Sequence, residues 1–139
     1  MGSIVSGVPI GARNFYPREM QMFLRLIPKI FFDRMEDGLD LFVAGLGFRV
    51  LHQDGGLAVV ERDGAKAYVV ESAEYAAKDR PEIAIETDAI NDVCLDISTR
   101  RPELLHPNLP RVTLRPWGAL EFSVLDKTGV WVVFRQWAG

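Results

Sequence analysis

Residues 28–48, PKIFFDRMEDGLDLFVAGLGF, decide the fold. Ile30-Phe31-Phe32 is a short apolar run of strand formers. Asp33 reads as a helix start, with Glu36 and Asp37 in the first turn, where unpaired backbone N–H groups favour negative charge. Met35, Leu39, Phe42, Val43 and Leu46 recur at helical spacing and give one apolar face. Gly45 and Gly47 are available to end the helix. The stretch therefore predicts a strand followed directly by an amphipathic helix.

Three strands are expected next. Phe48 to Gln53 alternates, Asp54-Gly55-Gly56 is a turn, Leu57 to Glu61 is a second strand, Asp63-Gly64 is a hairpin turn, and Ala67 to Val70 is a third strand. A linker runs from about Ser72 to Pro81. The order then repeats. Glu82 to Thr87 alternates as a strand, and Asp88 is placed to cap a helix with Ile90, Val93, Cys94 and Ile97 on one face. Arg100 and Arg101 sit near its end, and Pro102 stops it. After a proline-punctuated loop over 103–110, strands are expected at Arg111–Arg115, Leu120–Leu125 and Val130–Phe134, the last two joined by an Asp126–Gly129 turn. The fold class is α+β: two βαβββ modules, about 27–72 and 81–137, within one domain spanning 27–139. An unrelated α+β sandwich would give the same element order. Residues 1–26, broken by Gly7, Pro9, Gly11 and Pro17, read as an N-terminal arm or leader.

Composition sets broad limits. At 139 residues the chain can bury a core without staples, and its net charge of −3 argues against a nucleic-acid partner. One cysteine, Cys94, allows no intrachain disulfide and fits a cytoplasmic location. No run approaches a membrane span, and the first residues lack the basic start and longer apolar core of a signal peptide.

Three segments carry a family resemblance. Ile27-Pro28 ahead of a helix ending Leu46-Gly47-Phe48, the segment Pro116-Trp117-Gly118-Ala119-Leu120-Glu121-Phe122, and the Asp126-x-x-Gly129 turn occur in that order. The set resembles the vicinal oxygen chelate superfamily, which comprises glyoxalases, bleomycin-resistance proteins and extradiol dioxygenases, and within it the bleomycin-resistance branch. That resemblance implies two modules, each curling a sheet into a half-open cup, with ligand grooves between the subunits of a homodimer. It also implies that the segment before Pro28 crosses to the partner as a swapped arm.

Metal-dependent members of the superfamily hold their ion with His and Glu. Carried over by position, the ligand sites fall at about Ile27, Glu82 and Val133, of which only Glu82 has a side chain that binds metal. His52 and His106 are the only histidines and form no ligand-spaced pair. The expectation is therefore no catalytic metal and no cofactor. Cys94, on the apolar helix face, reads as a small hydrophobe rather than a nucleophile. Ser123 has no histidine beside it in sequence. Glu61, Glu71, Glu86 and Glu121 are strand carboxylates, and a pair of them facing a cup would suit metal-free acid–base chemistry.

In the resembled branch, aromatic side chains sandwich the flat cationic part of the drug, held by stacking and cation–π attraction. Trp117 matches the tryptophan of the family segment. The other two stacking positions hold His52 and Leu57. Glu61, Glu86 and Glu121 are candidates to attract a cation, and Phe32 and Tyr68 are further candidates for the groove; Trp131 and Phe134 are also strand aromatics. The expected function is metal-free binding and sequestration of a flat hydrophobic or cationic molecule, leaning away from an enzyme. The alternatives are a metal-dependent lyase or oxidoreductase of the same superfamily, and a non-catalytic interaction module.

Overall fold

The structure, a computed structural model, describes residues 22–138; most of the 1–26 arm lies outside the described residues. Strand β1 (Lys29–Phe32) leads into α1 (Met35–Leu39), which widens into a π-helical segment, Asp40–Gly45. Strands β2 (Arg49–Asp54), β3 (Leu57–Arg62) and β4 (Ala65–Glu71) complete the first module. The second follows as β5 (Glu82–Glu86), α3 (Ile90–Arg100), β6 (Thr113–Leu114), β7 (Ala119–Leu125) and β8 (Trp131–Trp137). Between them stands α2 (Ala73–Lys78).

Each module makes one four-stranded sheet with the same path, β1-β4-β3-β2 and β5-β8-β7-β6. The first strand of each pairs parallel to the last, and the other neighbours are antiparallel. The two-residue turn Asp63-Gly64 has positive φ at both positions (53° and 88°), the geometry whose twist matches a hairpin.

Four expectations need correction. The 72–81 linker holds α2, because Ser72 Oγ accepts the Tyr75 backbone N–H and caps a helix there. Asp33 and Asp88 cap nothing: the first helical N–H, from Met35, goes to Glu71 Oε2 on β4, and that of Ile90 goes to Gln136 Oε1 on β8. The strand expected over Arg111–Arg115 shrinks to two residues, since Pro110 ahead of it cannot donate and 105–109 already bond to β7 around Ser123. The last strand runs three residues past Phe134.

One core joins the modules. Ile30, Phe32, Phe42, Val60 and Val69 from the first pack with Ile90, Ile97, Phe122, Val124 and Val132 from the second. Phe122 and Phe134 stack with centroids 4.9 Å apart. Polar ties cross the same boundary: Arg101 pairs with Asp40 at 3.0 Å, and Arg80 donates to the Phe31 carbonyl and to Thr128 Oγ1. Since strand side chains alternate, the residues between these core positions lie on a second, open face of each sheet, turned away from α1 and α3.

Candidate functional site

On the first sheet, register alone assigns the open face. His52, Val59, Tyr68 and Lys29 form one cross-strand row. Asp54, Leu57, Val70 and Phe31 form the next, and Arg49, Glu61 and Lys66 a third. His52, Leu57, Glu61 and Tyr68 therefore share one surface. Phe32 does not: it is fully buried in the core, one residue out of phase. The aromatic that reaches the open face is Phe31, whose ring lies 5.1 Å from that of Tyr75 on α2.

Local bonds hold this surface in place. His52 Nε2 lies 2.8 Å from Asp54 Oδ2. Glu61 accepts from the Gly64 backbone N–H and from Arg49 Nε, and these bonds hold its carboxyl below the usual carboxylate range.

The second sheet presents a denser array. Trp117 follows Pro116 into a turn closed by Gly118 at φ +89°, ahead of β7. Its indole N–H donates to Glu121 Oε2 at 2.9 Å, and Arg135 Nε donates to the same oxygen at 2.6 Å. The Arg115 guanidinium carbon stands 4.9 Å from the Trp117 ring centroid. Beyond Arg135 lies Trp137, whose indole N–H donates to Glu86 Oε2. Trp117 and Trp137 each remain 52% exposed, while Glu121 is 3% exposed, so a buried carboxylate anchors exposed rings. Burial pushes the Glu121 carboxyl up, but the bonds from Arg135 and Trp117 and the two guanidinium charges outweigh it and hold the group below its ordinary value.

The remaining candidates have structural duties or surroundings that limit them. Glu71 caps α1 through Met35, away from the open face. Ser123 and His106 are buried at the far end of the second open face, where the His106 ring lies 4.4 Å from that of Trp131. His106 Nδ1 accepts the Asn108 N–H, so a neutral ring carries its proton on Nε2. Burial raises the Cys94 thiol, which disfavours the thiolate a nucleophile needs. Phe134 packs in the core. Glu82 stands exposed at the start of β5, opposite Trp131, whereas Val133 is buried opposite Ser123. Among the described residues no three His, Cys, Asp or Glu side chains are grouped to hold a metal ion.

A cleft of about 830 Å³ lies between the β3–β4 turn, β5 and α3, lined by Phe48, Ile85, Asp92 and Phe134 among others. Glu86, Arg135 and Trp137 of the second array also line it, but His52, Leu57, Glu61, Tyr68 and Trp117 do not. No helix among the described residues is long and apolar enough to cross a membrane.

Sequence reasoning missed Phe31, Arg115, Arg135 and Trp137. The alternation Trp131, Val133, Arg135, Trp137 was the available signal for the last two, had the strand been carried past Phe134.

No protein-family model and no curated protein matches the chain. Solved structures do match over most of its length. The bleomycin-binding protein of bleomycin-producing Streptomyces verticillus, solved with copper(II)-bleomycin, is 20% identical with a TM-score of 0.66, covering 86% of this chain and 99% of that one. TioX from Micromonospora sp. ML1 is 15% identical with a TM-score of 0.70, over 84% of this chain and all of that one (100%). A glyoxalase/bleomycin resistance protein/dioxygenase from Alicyclobacillus acidocaldarius is 12% identical with a TM-score of 0.67, over 82% and 91%. Likeness at this level of identity concerns architecture, and on it the chain has the α+β fold of the glyoxalase/bleomycin resistance/dioxygenase proteins.

Proposed function

We propose that the chain binds a flat small molecule on its open sheet faces and sequesters it without transforming it or using a metal. The observation that carries this reading is Trp117. Its ring is half exposed, yet its indole N–H is fixed to the buried Glu121, so a rigid apolar face is presented at little conformational cost. Support also comes from the neighbours in fold, two of which are described as bleomycin-binding proteins.

Sequestration in a groove between two copies accounts for how the two faces work together. Among the described residues no hydrogen bond, ion pair or ring contact joins His52, Leu57 or Tyr68 to Trp117, and a second copy would bring one face against the other. Met22, Phe23, Leu24 and Leu26, ahead of Pro28, are 84–97% exposed, which suits a segment that packs on a partner chain in an arm-swapped homodimer. A cytoplasmic location belongs to the same reading.

The hydrophobic character of the ligand has more support than the cationic one. Glu61, Glu86 and Glu121, the carboxylates expected to attract a cation, are each already bound by a donor of this chain. Calorimetric titration with micromolar bleomycin tests the drug-specific version, which fails if no heat appears at any stoichiometry. If the drug binds, Trp117→Ala is expected to weaken it by about 1–3 kcal/mol. Elemental analysis of protein purified without chelator tests the metal-dependent alternative: a stoichiometric divalent ion held through Glu82 would replace the present reading.

A further inference from the structure

We infer that the ligand of the Trp117 face is a planar aromatic acid, its ring on the indole and its carboxylate between Arg115 and Arg135. The inference rests on the stacking reading above and adds the charge of the ligand to it.

Two guanidinium groups meet a single buried carboxylate on this face. Glu121 Oε2 takes both Arg135 Nε and the Trp117 N–H, while its Oε1 stands 3.9 Å from Arg115 Nε, beyond hydrogen-bond reach. Arg115 Nε is buried and has no hydrogen-bond partner. Among the described residues, no Nη of either arginine has an acceptor, though Arg115 and Arg135 keep 33% and 25% of their side-chain surface. Arg115 Nε is the buried donor lacking an acceptor, while the Nη groups belong to side chains that still reach the surface and are the donors a ligand would meet. Ser123 Oγ, buried two residues further along β7, is also unpartnered.

Arg135 shares a cleft with Glu86, Asp88 and Asp92, yet among the described residues its one ion pair is with Glu121. Glu86 faces Arg135 across the β5–β8 ladder but turns to the Trp137 N–H and makes no ion pair within 4 Å. What remains are the Nη donors of Arg135 and of Arg115, whose guanidinium lies over one face of the half-exposed Trp117 indole. Guanidinium groups match carboxylate geometry with two parallel bonds, and an ammonium would find no acceptor among these donors. The chain's overall charge of −3 thus says nothing about this face.

Three probes of one shape separate the possibilities: 2-naphthoate, 2-naphthylmethanol and 2-naphthylmethylammonium, each titrated into the full chain and followed by tryptophan fluorescence and calorimetry. The acid is expected to bind at least ~10-fold more tightly than the amine, with the alcohol between them. Arg115→Gln should lower affinity for the acid about tenfold and for the alcohol distinctly less, while Trp117→Ala weakens all three. Equal binding of acid and amine, or preference for the amine, overturns the anionic assignment while leaving the stacking face intact. Failure of all three to bind at millimolar concentration, or binding indifferent to Trp117→Ala, overturns the stacking reading as well. Far-UV circular dichroism of each variant confirms that the fold is unchanged.

Discussion

Replacing Glu121 by alanine lowers stability by about 2 kcal/mol and releases the Trp117 ring. Removing one partner of a fully buried ion pair costs roughly 3–5 kcal/mol, because the other charge is left unpaired. Here Arg135 and Arg115 keep 25% and 33% of their side-chain surface, so water takes over part of the role of the carboxylate. That brings the expected cost toward 2 kcal/mol. Glu121→Gln keeps an acceptor for the indole N–H and loses only the charge, so about 1 kcal/mol is expected. The pH dependence identifies the cause. The carboxyl is held below its ordinary value in the folded state. Its contribution is therefore fully present above the unfolded value of about 4.3, and it is lost as pH falls through the lower folded value. Urea melts should show a constant gap between wild type and the glutamine variant from about pH 6 to 8, closing below about pH 4. A gap that persists unchanged into acid would mean that Glu121 acts through packing. The same variants change the emission of Trp117, and on the binding reading proposed above Glu121→Ala should weaken stacking at this face by no more than Trp117→Ala does.

Much of the architecture was legible because two periodicities were clean. The helical spacing of Met35, Leu39, Phe42 and Leu46 and the turns at Asp54-Gly55-Gly56 and Asp63-Gly64 fix the first module. What was lost depended on partners distant in sequence. Asp33 and Asp88 have the right chemistry for caps, yet Glu71 and Gln136, from strands far along the chain, satisfy those helix starts. Of the candidate site, the shared face of His52, Leu57, Glu61 and Tyr68 was legible because pairing register follows from a turn, and the rim position of Trp117 because it sits in a motif. In Ile30-Phe31-Phe32 no polar residue marks which side faces water, so a one-residue choice of phase decides which phenylalanine reaches the open face. The arginines escaped notice for another reason: their placement around Glu121 depends on strand pairing and a turn that bring distant residues together.

The inward member of the Phe31 and Phe32 pair, Phe32, packs against Gly38, and Gly38→Leu is expected to be among the most damaging single changes in the chain, costing about 3 kcal/mol or more. On helix propensity alone the opposite holds, since a glycine inside a helix is about 1 kcal/mol worse than alanine. The packing decides the sign. A Cβ at position 38 would lie 2.4 Å from Val69 Cγ1 and 2.8 Å from Phe32 Cδ1, both on fully buried side chains with no room to yield. Glycine lets α1 rest directly on β1 and β4, and it is Phe32 that fills the contact, leaving Phe31 for the open face. Even Gly38→Ala should therefore lose about 1–2 kcal/mol, overpacking outweighing the gain in propensity. Val69→Ala removes the nearest clashing atom, so the double variant Gly38→Ala/Val69→Ala should be more stable than the sum of the two single changes predicts. Thermal and urea melts of the four proteins read this coupling. Strict additivity, or a Gly38→Ala protein more stable than wild type, would show that α1 can ride away from the sheet.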